Sequence, residues 1–275
     1  LDSAVPELPE VEITRRGIEP FVLGKTITGV AVRNPNLRQR IPRKLARILV
    51  GQRVNRLVRR GKYLLFQCAA GSLIVHLGMS GSLRVIDPRI LPREHDHVDL
   101  LFGRIALRLR DPRRFGVVLW SDGDASRHPL LAQLGVEPLG EHFSPEFLYR
   151  ATRGRAVGIK QLLMNAKVVV GVGNIYANES LFRAGIHPRA RSGRLSLARC
   201  GRLVAAVREI LLAAIAAGGS SLRDFVHSDG SPGYFQQHYY VYDRAALPCR
   251  VCGAAIRVAR QGQRSSFFCA SCQRL

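Results

Sequence analysis

The 275-residue sequence contains no apolar run approaching the roughly 20 residues that a membrane-spanning helix requires. Its most apolar stretch, Ile210 to Ala217, is short and follows a charged helix face, so a helical membrane anchor is excluded there. A signal peptide, an internal repeat and a low-complexity tract are also lacking, and the expected location is the cytoplasm. Lysine is scarce: Lys25, Lys44, Lys62, Lys160 and Lys167 are the only five among 42 basic residues, which makes each of them informative. The matching preference for arginine fits a GC-rich genome as well as a need for bidentate phosphate contacts. Acidic residues number only 20, leaving a formal net charge of +22. An excess of that size argues for a polyanionic partner, with nucleic acid the first candidate.

Cysteine is used sparingly and in a pattern. Cys249-Arg250-Val251-Cys252 is followed, after sixteen intervening residues, by Cys269-Ala270-Ser271-Cys272. Two such knuckles can place four thiolates tetrahedrally around one Zn²⁺, and a site closed by four thiolates leaves no open position for chemistry. Its role is to fold a segment too short to stabilise itself. The alternatives are two disulfides or a redox dithiol. Cys68 and Cys200 stand alone in a strand-like and a helical run and read as buried apolar groups. Thiolate ligation also suits a reducing compartment.

Periodicity divides the chain. Pro9, with Val11, Ile13 and Ile18 beyond it, predicts a helix running towards Gly24. Eight short strand-like runs follow between residues 26 and 121, which predicts a β-sandwich or barrel-like domain. Ser121 to Gly140 reads as a linker. Ser144-Pro145-Glu146 opens a helix, Gly158 to Met164 forms another, and the glycine-rich turn before Asn174 leads into a third that stops near Gly185. Amides at that helix start can hold a phosphate, although a plain turn reads equally well. Ser196 to Ala217 is a long helix, closed by Gly218-Gly219 and followed by a Gly/Ser-rich loop.

Three carboxylates, Glu7, Glu10 and Glu12, crowd a basic protein just after Pro6. They form either an acidic first helical turn favoured by the helix dipole or part of a reactive centre. A proline at a free N-terminus is a secondary amine able to attack an aldehyde-like carbon, with a neighbouring carboxylate moving protons. In this sequence five residues precede it.

The run PELPEVE, then Arg60 to Tyr63, HLGMSGSLR from His76, DPRRFG from Asp111, Val170 to Asn174 and the four-cysteine segment resemble, in this order, the bacterial formamidopyrimidine-DNA glycosylase family. The resemblance implies an α+β multidomain fold. Its parts would be an N-terminal helix with an antiparallel β-sandwich (6–125), a linker (126–140), a helix-two-turn-helix domain (141–235) with a lesion-capping loop (218–233), and a zinc-finger β-hairpin (240–275). It implies a DNA-repair glycosylase and AP lyase that flips 8-oxoguanine and formamidopyrimidines from double-stranded DNA and then nicks the strand by β,δ-elimination. The enzyme would act as a monomer at the nucleoid, with one structural Zn²⁺ and no organic cofactor. Carried over by position, Pro6 is the Schiff-base nucleophile, Glu7 the proton donor and Glu10 its support. Lys62 serves phosphate binding and β-elimination, and Arg264 serves δ-elimination. Met79, Arg113 and Phe115 fill the void left by the flipped base. Asn174 grips backbone phosphate, and His76, His95, Arg155, Lys160 and Tyr242 are further DNA contacts. Ser220 and Arg223 lie on the loop expected to read the lesion, and Cys249, Cys252, Cys269 and Cys272 hold the metal.

Leu1 to Val5 have no counterpart in this resemblance, and acylation of Pro6 would silence its amine. They are read as a cloning remnant or as an upstream start misread at a GTG codon for Val5. The related endonuclease VIII branch prefers oxidised pyrimidines, but HLGMSGSLR and DPRRFG look like the purine branch. A retained extension would instead make the chain a catalytically silent binder of damaged DNA.

Overall fold

The structure, a computed structural model, describes residues 6–220 and 235–275. The described residues form two compact units. One runs to Gln133 and includes Gly218 to Ser220; the other joins Leu134–Ala217 to the segment from Phe235 onward.

In the first unit, helix α1 (Leu8–Val22) starts where Glu7 is extended and ends at extended Leu23. The Glu10 carboxylate reaches back to accept the Glu7 backbone N–H at 2.9 Å, one half of a capping box. Leu8, Val11, Ile18 and Val22 recur at helical spacing and are buried, so α1 is held by tertiary packing on one face. Two antiparallel four-stranded sheets follow. One has the order β1 (Gly29–Val32), β6 (Asp96–Phe102), β7 (Ile105–Arg110), β5 (Ser82–Ile86); the other has β2 (Arg56–Arg60), β3 (Tyr63–Gln67), β4 (Gly71–His76), β8 (Val117–Asp122). Helix α1 packs against β2, β3 and β5 and so touches both sheets of the sandwich. All eight expected strands are present. Helix α2 (Leu45–Leu49), which buries Leu45 and Leu49, was not expected. A bulge between Asp96 and Val98, after a left-handed His95 (φ 72°), breaks the β6–β7 register.

The second unit contains α4 (Pro145–Thr152), α5 (Ile159–Leu163), α6 (Asn174–Arg183) and α7 (Leu197–Ala216), while the short α3 (Pro129–Ala132) closes the first. Ser144 and Ser196 cap α4 and α7 by accepting the N–H of Phe147 and Arg199. Strands β9 (Arg257–Gln261) and β10 (Arg264–Phe268) form the terminal hairpin. Among the described residues no helix is long and apolar enough to cross a membrane.

Candidate active site and metal centre

Pro6 and Glu7 are buried at the mouth of α1, and Glu10, one turn along, has no exposed surface. A buried carboxylate needs compensating donors. Glu10 has them in the backbone N–H of Glu7 and of Ser220, each at 2.9 Å, so one side chain ties the start of α1 to Ser220 of the loop expected to read the lesion. The sequence places Ser220 on the loop expected to read the lesion; in the structure its backbone amide is given to Glu10. Arg223 lies outside the described residues.

Lys62 sits half-buried in a two-residue hairpin between β2 and β3. Gly61 supplies the positive φ (57°) at the first central position, the pattern of a II′ turn whose twist suits the flanking strands. The turn is anchored from outside. The Arg59 guanidinium donates to the Gly61 carbonyl at 3.1 Å and to Glu12 of α1 at 3.2 Å, linking the lysine turn to the helix that begins at Pro6. Burial pushes the Glu12 carboxyl up, but hydrogen bonds from Arg15 and Arg16 and the charges of Arg15 and Arg59 outweigh it and hold the group below the usual range.

His76, at the end of β4, accepts the Gly78 N–H on Nδ1 at 2.9 Å. Burial first, then the cations of Lys62 and Arg38, hold its pKa down at about 4. The imidazole is therefore neutral at physiological pH, with its proton on Nε2. Beyond it, Met79 is half-buried, while Arg113 and Phe115 are exposed, with the Arg113 guanidinium 5.3 Å from the Phe115 ring centroid. Their two loops are joined from below. Asp111, wholly buried, accepts from the Ser80 hydroxyl at 2.8 Å and the Gly116 N–H at 2.7 Å, and the Ser80 oxygen accepts the Arg113 N–H at 3.1 Å. Gly78 is required at the crossing, because a Cβ there would stand 2.4 Å from the Phe115 carbonyl carbon. His95, on the bulged entry to β6, is half-exposed beside Glu94.

In the second unit, helix α6 begins at Asn174 and supports the finger along its length. Asn178 accepts the Phe267 N–H of β10 at 2.9 Å. Glu179 accepts three consecutive amides, from Tyr240, Val241 and Tyr242, at 2.8 to 3.0 Å. Burial pushes the Glu179 pKa up against those amides. The side-chain nitrogen of Asn174 is buried and has no hydrogen-bond partner on the described residues. Lys160 is 1 % exposed, and its ammonium donates to the Ser265 carbonyl at 2.6 Å and the Ser266 hydroxyl at 2.8 Å. It is therefore built against strand β10 of the finger hairpin, and Tyr242 is packed against Tyr239 and Phe267. Arg155 is exposed. Arg264 is exposed immediately after the Gly262-Gln263 turn, where Gly262 (φ 59°) repeats the hairpin device that carries Lys62.

The four cysteine sulfurs of the finger lie within 4.8 Å of one another. Cys252 and Cys269 are 3.4 Å apart, and Cys249 and Cys272 3.9 Å. A tetrahedron of thiolates about 2.3 Å from zinc has edges of about 3.8 Å, so the set fits one Zn²⁺. Burial and then the three neighbouring thiols raise the Cys272 pKa when no cation is present, the crowding a divalent ion relieves.

The sequence matches the formamidopyrimidine-DNA glycosylase N-terminal domain over residues 5–118 and the H2TH domain of the same enzymes over 134–226. The chain belongs to the formamidopyrimidine-DNA glycosylase family. Residues 246–275 match the zinc finger found in FPG and IleRS, so the finger of this family member holds one structural Zn²⁺. The formamidopyrimidine-DNA glycosylase of Aromatoleum aromaticum is 61 % identical over 270 residues, covering 98 % of this chain and all of the relative. Among solved structures, the MutM (Fpg) protein of Thermus thermophilus superposes with a TM-score of 0.88 at 39 % identity, covering 98 % of each chain. A Lactococcus lactis Fpg in complex with DNA containing Fapy-dG gives 0.89 at 32 % identity, covering 98 % of this chain and all of that one.

Proposed function

We propose that the chain is a DNA glycosylase and AP lyase acting on oxidised purines, formamidopyrimidines and 8-oxoguanine, in the nucleoid of a bacterial cytoplasm. The observation that carries the reading is the buried Pro6-Glu7 pair at the mouth of α1, braced by Glu10, in a chain of this family. The Lactococcus relative bound to Fapy-dG DNA supports the substrate class.

The chemistry follows from charge. As the N-glycosidic bond breaks, the sugar gains positive character and the base leaves with negative charge. The Pro6 amine, once free, bonds to C1′ as the base departs and passes its N–H proton to that base; Glu7 then protonates O4′ as the C1′–O4′ bond opens, and the product is a cationic Schiff base that acidifies C2′–H. Loss of that proton expels the 3′ phosphate, and a second elimination expels the 5′ phosphate. Lys62 and Arg264 are the cations assigned to these two leaving groups, where fixed positive charge stabilises what develops in the transition state. Glu10 is a positioning residue. Met79, Arg113 and Phe115 occupy the duplex void as one braced unit, and Asn174 and Arg155 take backbone phosphates. Zn²⁺ supplies folding to the finger. Lys160 and Tyr242 act by holding the hairpin that carries Arg264.

An incision assay on an 8-oxoguanine:cytosine duplex separates the roles. Arg264→Ala is expected to excise the base and stop after β-elimination, leaving an unsaturated 3′ aldehyde end in place of a 3′ phosphate. Lys62→Ala is expected to lower total incision at least about tenfold. Unchanged product ends with Arg264→Ala would remove that residue from the scheme.

A further inference from the structure

The sheet of β1, β6, β7 and β5 carries an arginine layer on the face opposite Leu83, Leu107 and Leu109. Cross-strand register sets Arg84 directly opposite Arg108, and facing like charges destabilise a strand pair. Arg108 is compensated: its Nε and a terminal nitrogen donate to the two oxygens of Asp99 at 2.9 and 2.8 Å. Arg110 donates to the Glu94 carbonyl at 2.9 Å and lies 3.9 Å from Asp96, whose carboxylate also accepts the Arg93 backbone N–H at 2.8 Å. Arg84 is left over. Its Nε is buried and has no hydrogen-bond partner among the described residues. A buried charged donor in that state is costly. Burial, then the neighbouring charge of Arg110, holds its pKa below the usual arginine value, with Asp96 acting in the opposite direction.

These groups surround a cavity of about 510 Å³. Arg84, Arg93, Arg108 and Arg110 contribute four positive charges to its lining against Glu94 and Asp96, and Ile90 and Leu91 form an apolar wall. We propose that this cavity binds a phosphate-bearing anion, with the Arg84 guanidinium as its principal donor. A phosphate offers acceptor oxygens in several directions at once, which suits guanidinium groups converging from two strands and a loop better than the two oxygens of a carboxylate do. The phosphate belongs either to a small free compound or to the backbone of a bound duplex. The site is independent of the glycosylase reading, and neither stands or falls with the other.

The test uses the full zinc-loaded chain and Arg84→Met, which keeps the buried stem and removes the donor. Inorganic pyrophosphate is titrated calorimetrically at low salt into both proteins, and an undamaged duplex is titrated in parallel over a range of salt. Loss of charge-assisted hydrogen bonds predicts that Arg84→Met weakens one pyrophosphate site at least about tenfold. Pyrophosphate should also raise the melting temperature of the wild type more than that of the variant. If the phosphate is DNA's, the difference appears in the duplex titration as weaker binding and a salt slope smaller by about one. Arg93→Gln, on the exposed rim, gives a second reading with a smaller loss in the same titration should Arg84→Met fold poorly. Equal binding of both pyrophosphate and duplex by wild type and folded variants would overturn the proposal.

Discussion

Lys62 and His76 show how a single side chain is set by its neighbours. An unfolded histidine titrates near 6.5, whereas burial and the charges of Lys62 and Arg38 hold His76 at about 4. Between those values the unfolded chain binds the proton and the folded chain does not. The stability linked to His76 is thus fully present above about pH 6.5 and is lost as pH falls towards 4. An NMR titration of the imidazole should give a midpoint near 4, and His76→Asn should flatten the acid side of the stability curve in that window. A midpoint at the unfolded value would contradict the assigned surroundings. The four cysteines were legible in the sequence because their two C-x-x-C pairs are short contiguous patterns, and Pro6, Glu7 and Lys62 are proposed from equally short motifs. Arg59 and Asp111 were not, because their partners lie 47 and 31 residues away and only folding brings them together. Lys160 was legible as a singular lysine, yet its partners in the finger are more than 100 residues distant, so the direction of its ammonium was not.

Elements carry the same logic at larger spacing. Two hairpins, each with glycine at the first turn position, present Lys62 and Arg264, and each is held by side chains from a helix of its own unit. For the first, the Glu12–Arg59 link joins α1 to the lysine turn. Glu12→Gln should lower stability by about 1.5 to 3 kcal/mol, the range for hydrogen bonds to charged groups. Denaturant unfolding measures this, and a loss below about 0.5 kcal/mol would show that the link does not hold the turn. The strands were readable from alternating runs bounded by Gly and Pro, and the main helices from their serine caps and closing glycines. Helix α2 escaped because it is five residues long and its Lys44 cap makes no side-chain bond. The run from Thr26 to Arg33 overshot strand β1, since the ladder with β6 is assigned to Gly29–Val32 and Thr26 bridges to Arg53 instead. The bulge at the start of β6 also went unread, as pairing register is a property of two strands together.

For the whole molecule, charge and metal are the controlling quantities. The +22 excess supplies sequence-independent attraction to DNA, and Zn²⁺ makes the terminal hairpin a folded object. Native mass spectrometry should find one zinc per chain. Chelation should abolish incision and return it on adding Zn²⁺, because metal binding and folding of the finger are one equilibrium. Activity that survives complete zinc removal would sever the finger from the reaction. The order of the domains was legible from composition and motif, while the division of the described residues into two compact units was not. The finger groups with the helices through α6, and Ser220 groups with the sandwich through Glu10. We assign the chemistry to Pro6 acting as a free amine. The most direct measurement is borohydride trapping on an 8-oxoguanine:cytosine duplex with protein whose N-terminus is Pro6, followed by peptide mapping. A covalent adduct on Pro6 is the predicted result. Tight lesion binding with no adduct, or an adduct on a lysine, would contradict it.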